Sequence, residues 1–299
     1  YHVARADLSV SGQIVSFAVN VAVSDTARAQ LERDFSFLRG LTNRYNYQFL
    51  PQVYFKGAGI YRESGKRVRW LHMFVAEWFQ DYHEFHLHRD QADGSSRMLL
   101  WDLGRGSRYL SEHQCIALYR LGAKILTLYY NWNNFKQIYP WHHAAGDFVL
   151  REKGDTVDLR LVTVRDYAAV VDFTTGKRAG KLFALILFFL HLTIQMRIDR
   201  LDGVGDVVWA EDYCLEGTVA GFFEGLTSGA TKARKGIPPA AEILDILRSF
   251  ENEEWLSLLE EWTETYKPSG EELTLVLEKA VDHFHKLEGF LKNFQLDIS

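Results

Sequence analysis

The chain has little cysteine and little proline, with 2 and 5 residues of these types in 299. Cys115 and Cys214 both lie in segments with helical periodicity, so we expect two buried free thiols and a reducing compartment such as the cytoplasm. Aromatic residues make up 14% of the chain and hydrophobic residues 47%. This composition predicts a globular protein with a well-filled core and argues against a disordered chain.

The chain also lacks a membrane-spanning hydrophobic run and an excess of basic charge. Its longest apolar run, residues 182–194, is short and closely bracketed by Lys181 and Arg197, which favours a buried core helix and predicts no transmembrane segment. The formal net charge is −5. A net negative protein has no global field that attracts nucleic acid, so we expect no nucleic-acid partner.

The first 90 residues predict strands around one helix. Residues 13–24 alternate apolar and smaller or polar side chains, as a half-buried strand does. Ser24 and Asp25 offer an N-cap for a helix that extends to about residue 45. Two further apolar runs, 52–63 and 66–79, are separated by Ser64 and Gly65, which predicts a β-hairpin.

The remainder of the chain predicts mostly helices. Ser111 is a candidate N-cap for one long helix, and Ser269 with Glu272 forms a capping box for another. From Lys177 onward we expect helices over 178–200, 211–226, 238–250, 252–266 and 269–294. Strands followed by helices indicate an α+β fold rather than a parallel α/β sheet.

One hairpin interrupts the helical part and carries two acidic residues. Asp147 stands just before an apolar strand, and Asp166 closes the next one. Because neighbouring ends of antiparallel strands lie side by side, we expect both carboxylates at one site, flanked by His142 and His143. Such a carboxylate pair binds Mg²⁺. The alternative is that both aspartates only cap turns.

The order of these elements resembles the protein-kinase-like fold, particularly its aminoglycoside-phosphotransferase and lipopolysaccharide-kinase branches. The segment "WHHAAGDFVL" is similar to their catalytic loop, with Asp147 at the metal-binding position, and "VRDYAAV" to the second metal motif, with Asp166 as its aspartate. The resemblance implies a two-lobed fold with a small β-rich N-lobe over 1–90 and a mainly helical C-terminal lobe over 91–299. It also implies ATP and Mg²⁺ as cofactors.

Several positions depart from the family pattern. His142 stands where the family has its aspartate base, although an imidazole accepts protons near neutral pH. Asn20 stands where the family's phosphate-binding lysine is expected, and Glu32 or Asp34 would be its acidic partner. Lys56 on the following strand is a candidate substitute from another direction, or else an ordinary solvated lysine.

The segment after the first hairpin supports two interpretations. If it leads into the linker of a kinase-like fold, Glu77, Trp78 and Phe79 line the nucleotide pocket. It also contains a cluster of His83, His86 and His88, which is either a transition-metal site or a solvated or partner-facing group.

Two functional hypotheses follow. In the first, the protein is a kinase-like phosphotransferase that moves phosphate from ATP to a hydroxyl of a small molecule or glycan. In the second, it is a catalytically degenerate kinase-like module, a pseudokinase, that binds or regulates a protein partner. The missing lysine and the base-position His142 favour the second, and Asp147 and Asp166 favour the first.

Overall fold

The computed structural model describes residues 2–62, 68–92, 94–142, 146–171, 178–228 and 236–296. The protein is a mixed α+β chain, β-rich in its N-terminal region and helical in its C-terminal region. Its backbone contacts define two compact units. The first unit comprises 1–82, 139–141 and 160–167, and the second comprises 83–138, 142–159 and 168–299.

The first unit is built on a four-stranded antiparallel sheet in the order β1-β2-β4-β3. The predicted strand over 13–24 and the predicted pairing of two later strands are confirmed, and the Ser64-Gly65 turn between those two lies outside the described residues. Strand β1 has no counterpart among the predicted strands. The four strands are β1 (His2–Val10), β2 (Gln13–Ala22), β3 (Val53–Arg62) and β4 (Val68–Glu77).

Helix α1 (Asp25–Arg44) packs on one face of this sheet. The predicted cap is confirmed, since the Ser24 hydroxyl accepts a hydrogen bond from the Ala27 amide at 3.2 Å. The Phe35 ring of the helix lies 5.9 Å from that of Phe74 on β4, measured between centroids. The helix therefore buries its apolar stripe against the face that carries Phe74.

The second unit contains several small strand groups. A three-stranded sheet comes first. The hairpin predicted to interrupt the helical part is confirmed as the pair β9 and β10, but its second strand ends at Leu161 and not at Asp166. The strands, some at the borders of the units, are β5 (Glu84–Arg89), β6 (Ser96–Trp101), β7 (Arg108–Tyr109), β8 (Lys136–Ile138), β9 (Phe148–Lys153), β10 (Thr156–Leu161), β11 (Tyr167–Ala169), β12 (Ile198–Arg200) and β13 (Val207–Trp209).

The other helices all belong to the second unit. The predicted capping box at Ser269 with Glu272 is present, and the predicted N-cap at Ser111 forms a second capping box with Gln114. In the part of the chain that the structure describes, no helix has both the length and the apolar character to cross a membrane. These helices are α2 (Glu112–Tyr129), α3 (Arg178–Gln195), α4 (Tyr213–Thr227), α5 (Ala240–Ser249), α6 (Asn252–Tyr266) and α7 (Gly270–Asn293).

One predicted helix is too long. The pattern predicts helix over 178–200, but α3 ends at Gln195 and residues 198–200 form strand β12, which pairs with β13. Arg197 explains the change because its buried guanidinium donates to the Ala210 carbonyl at 3.0 and 2.8 Å and to Asp212 at 2.8 Å. Ala210 and Asp212 lie well beyond the end of α3 in the sequence, so the local periodicity of α3 does not show these contacts.

Helices α2 and α4 pack closely along a row of glycines. Gly217, Gly221 and Gly225 recur every fourth residue of α4, and a Cβ on each would lie 2.5, 2.0 and 2.5 Å from atoms of α2. Only residues without a side chain permit this approach. The same helices bury both free thiols, Cys115 and Cys214, as predicted.

Candidate functional site

An ion pair in the first unit joins the sheet to helix α1. The Lys56 ammonium on β3 contacts the Glu32 carboxylate on α1, with the two side chains 45% and 40% exposed. The same ammonium lies 5.4 Å from the centroid of the Phe35 ring. Lys56 is therefore a paired cation over an aromatic face, not a freely solvated side chain.

Asn20 and Lys56 lie on one row across the sheet. Asn20 on β2 pairs with Phe74 on β4, and Phe74 pairs with Lys56 on β3. Residues paired across neighbouring strands project to the same face, so Asn20 and Lys56 flank Phe74 on the face that α1 covers. The Lys56 ammonium therefore lies two strands away from Asn20, the position at which the kinase-like resemblance predicts a lysine.

The structure distinguishes between the two acidic candidates on α1. Asp34 is 1% exposed, and its carboxylate accepts hydrogen bonds from the Gln30 amide at 2.6 Å and the Thr163 hydroxyl at 3.3 Å. Glu32 lies on the opposite, half-exposed side and pairs with Lys56. Asp34 is buried and hydrogen-bonded, which indicates a structural role. The side chains of Glu32 and Lys56 remain accessible to solvent.

Glu77, Trp78 and Phe79 follow directly from β4. Glu77 closes the end of the sheet, since its amide donates to the Gln52 carbonyl at 2.8 Å and its carboxylate accepts from the Gln52 amide at 3.2 Å. The Arg5 guanidinium lies 5.8 Å from the Trp78 ring centroid. All three are partly exposed.

An arginine that the sequence analysis missed lies beside Phe79. The Arg160 guanidinium is 6.0, 5.8 and 5.4 Å from the ring centroids of Phe49, Phe79 and Tyr82. A cation over several π faces stabilises the ring arrangement. Arg160 is far from all three rings in the sequence, so no local spacing indicated the cluster.

Asp166 also belongs to the first unit. Its carboxylate accepts a hydrogen bond from the Tyr167 amide at 2.7 Å, and its carbonyl accepts from the Tyr139 amide at 3.3 Å. Its side chain is partly exposed. The first contact is to the amide of the next residue, and it engages one of the two carboxylate oxygens.

Asp147 and His142 lie in the second unit and are five residues apart in the sequence. The Asp147 carboxylate, 2% exposed, accepts a hydrogen bond from the His142 amide at 2.9 Å. Gly146, with a φ of 75°, provides the turn before it. A backbone amide therefore engages the Asp147 carboxylate, as the turn-capping alternative expects. His143 lies outside the described residues, and convergence of Asp147 with Asp166 stays a prediction.

His83, His86 and His88 face separate partners. His83 Nε2 lies 3.6 Å from the Asp102 carboxylate, and His88 Nδ1 lies 2.6 Å from Asp202. His86 is 3% exposed, and its ring centroid lies 4.4 Å from that of Trp101. Among the described residues, no group of three or more His, Cys, Asp or Glu side chains could hold a metal ion. This geometry disfavours the metal interpretation.

Two buried carboxylates near these histidines have shifted pKa values. Hydrogen bonds from the backbone amide of Arg105 and from the Arg108 guanidinium lower the pKa of Asp102 to about 2. Burial raises the pKa of Asp199 to about 6, although the amides of Leu87 and Arg200 donate to it at 2.9 and 2.7 Å. Both carboxylates organise backbone amides, which is a structural role.

Comparisons with protein-family models and with curated proteins find no match to this chain. The functional interpretation therefore depends on the site residues themselves.

Proposed function

We propose that the protein is a kinase-like phosphotransferase that moves phosphate from ATP to a hydroxyl of a small molecule or glycan. The observation that carries the proposal is the ion pair of Lys56 and Glu32 on the sheet face that also carries Asn20. An ammonium held by a helix carboxylate is a point charge suited to phosphate oxygens. Lys56 takes the role for which Asn20 is unsuited.

The other residues have complementary roles in this proposal. Asp166, whose side chain is partly exposed, would offer carboxylate oxygen to Mg²⁺, whose charge neutralises phosphate. His142 accepts the proton of the acceptor hydroxyl, since an ordinary imidazole titrates near neutral pH. Trp78 and Phe79 offer aromatic surface to the nucleotide base.

A second candidate function is a binding or regulatory module of the same type. It is favoured by the Asp147 carboxylate, which already accepts a hydrogen bond from the His142 amide. It is also favoured by Asn20 in place of a lysine. In this case nucleotide binds without phosphate transfer, and a protein partner reads the bound state.

The experiment measures ATP binding by calorimetry and thermal shift, with and without Mg²⁺ or Mn²⁺. The variants are Asp166→Asn and Lys56→Ala, and Lys279→Ala at an exposed position of α7 is the control for loss of one positive charge. The phosphotransferase predicts metal-dependent binding that Asp166→Asn abolishes, that Lys56→Ala weakens and that Lys279→Ala leaves unchanged.

An assay of phosphate transfer from ATP to water, sugars or amino sugars separates the phosphotransferase from the binding module. Transfer by the wild type that is lost in Asp166→Asn supports the phosphotransferase. Nucleotide binding without transfer supports the binding module. Absence of nucleotide binding under all conditions contradicts both.

A further inference from the structure

Strand β1 is an edge strand with an open hydrogen-bonding side. Its register against β2 is continuous from the pair of His2 and Val21 to the pair of Val10 and Gln13. Within the described ranges, no other strand pairs with the outer side of β1. A regular edge strand of nine residues is a template for another strand.

The opposite edge of the same sheet carries protective features that the described residues of β1 lack. β3 carries a register irregularity between Val53 and Phe55, two glycines at Gly57 and Gly59, and a lysine, Lys56. Bulges, glycines and lysines are the features that prevent edge strands from pairing. The β1 sequence, HVARADLSV, contains no lysine, glycine or proline.

The turn after β1 determines which of its backbone groups face outward. Ser11 and Gly12, with φ values of 50° and 82°, form a two-residue turn between Val10 and Gln13. The residues that flank such a turn are a hydrogen-bonded pair, so Val10 directs its amide and carbonyl toward β2. Because the direction alternates along a strand, the outward groups are those of Val3, Arg5, Asp7 and Ser9.

We propose that β1 pairs in antiparallel orientation with β1 of a second copy of this chain, about a twofold axis at Ala6. In this register Arg5 lies opposite Asp7 of the second copy, and Val3 lies opposite its Ser9. All of these residues have outward backbone groups, so each forms a hydrogen-bonded pair, and Ala6 meets Ala6 as the intervening non-hydrogen-bonded pair. The twofold axis makes the contact self-complementary.

Charge selects this register. Arg5 and Asp7 already form an ion pair within one chain, with 2.8 Å between Arg5 Nε and Asp7 Oδ1, and both side chains are more than 40% exposed. Pairing about Ala6 adds the same opposite-charge contact between copies, twice by symmetry. A register shifted by two residues would instead oppose Arg5 to Arg5 or Asp7 to Asp7, which is repulsive.

Apolar surface at the same edge supports the assembly. Val3, Leu8 and Val10 of β1 are 60%, 55% and 56% exposed. In the proposed pairing Leu8 lies opposite Ala4 of the second copy, and Val10 lies opposite its His2. Part of this exposed area is then removed from water at each end of the strand pair.

The first test is sedimentation velocity on the purified chain over a concentration series, with Arg5→Asp and Asp7→Arg. Each variant places like charges opposite each other, so we expect self-association about tenfold weaker than that of the wild type. An equimolar mixture of the two variants opposes unlike charges again, and we expect it to associate as the wild type does. Arg62→Asp on β3 is the matched control and should leave association unchanged.

The second test fixes the register by a disulfide. Ala6→Cys places thiols at the twofold axis, where Cα atoms of a non-hydrogen-bonded pair are about 4.5 Å apart, a distance that a disulfide spans. We expect a covalent dimer under mild oxidation. Ser9→Cys is the control, since its two copies would be roughly 20 Å apart. The native thiols of Cys115 and Cys214 are buried.

The proposal is independent of the proposed function. A wild-type chain that sediments as a monomer at every concentration overturns it. A variant mixture that associates no better than either variant alone also overturns it, as does equal crosslinking of Ala6→Cys and Ser9→Cys.

Discussion

Gly221 on α4 lies so close to Arg120 on α2 that a Cβ on the glycine would be 2.0 Å from the Arg120 carbonyl oxygen. The obstructing atom belongs to the backbone of a helix, so a side-chain rotation cannot relieve the contact. Any side chain at this position therefore requires the two helices to separate, which loosens their packing over several turns.

We expect Gly221→Ala to lower the free energy of unfolding by at least about 2 kcal/mol because overpacking outweighs the better helix propensity of alanine. Gly289→Ala on α7 is the matched control, since nothing lies within 4 Å of a Cβ there. That variant should be neutral or stabilised by up to about 1 kcal/mol. Urea unfolding followed by far-UV circular dichroism measures both. Equal stability of the two variants would contradict the close approach.

The second unit contains buried ionisable groups whose effects on stability at low pH oppose each other. Burial lowers the pKa of His283 to about 3 and that of His191 well below its usual value. The unfolded chain then binds more protons than the folded chain below about pH 6.5, so these histidines reduce stability as the pH falls. Burial raises the pKa of Asp199 to about 6, which has the opposite effect between about pH 6 and 4.

Two histidines act against one aspartate, so we expect stability to decrease as the pH falls from 6 to 4. His283→Gln should reduce this decrease by about 1.4 kcal/mol per pH unit, and Asp199→Asn should make the decrease steeper. His285→Gln, at an exposed position on the same helix, is the control and should leave the slope unchanged. The free energy of unfolding in urea at successive pH values measures all four proteins. A slope that persists in His283→Gln would show that this residue is not the titrating group.

Local chemistry explains what the sequence predicted correctly. The caps at Ser24, Ser111 and Ser269 involve partners three residues away, so a short window contains the whole interaction. The hairpin of β9 and β10 is local in the same sense. Elements of this kind were predicted from the sequence, although β10 ends at Leu161 and does not reach Asp166.

The contacts between site residues that the sequence did not predict join positions distant in the chain. Lys56 and Glu32 are separated by 24 positions and meet only because α1 lies on the sheet. Arg160 meets Phe49 and Phe79 through the same kind of tertiary contact. Spacing rules describe helix and strand faces, not which faces meet, so these pairs required the structure.

A substitution at Glu32 tests whether the ion pair with Lys56 has a functional or only a structural role. Both side chains are about half exposed, so the pair contributes at most about 1 kcal/mol to stability. If Lys56 binds phosphate, Glu32→Gln should change the thermal midpoint little but weaken ATP binding by about tenfold or more, since the ammonium loses the group that orients it. Calorimetry with ATP and Mg²⁺ measures the affinity. Glu278→Gln, an exposed change on α7, is the control. Unchanged ATP affinity in Glu32→Gln would show that the ion pair has no role in nucleotide binding.

Arg197 is buried, and its guanidinium donates hydrogen bonds to two different residues. It is 2% exposed, its guanidinium donates twice to the Ala210 carbonyl and once to Asp212, and it lies 5.0 Å from the Trp209 ring centroid. These contacts fix the turn by which the chain leaves α3 and returns along β13. A lysine has the charge but not the planar pair of donors.

We therefore expect Arg197→Lys to lower the free energy of unfolding by roughly 2–4 kcal/mol, since it leaves a buried carbonyl and a buried ammonium incompletely paired. Arg200→Lys is the control three residues later, where the side chain is 42% exposed and pairs with Glu271 on the surface. That change should stay within about 0.5 kcal/mol. Chemical denaturation measures both variants, and amide hydrogen exchange over β12 and β13 should rise only in Arg197→Lys. Equal protection in the two variants would show that the guanidinium does not hold this hairpin.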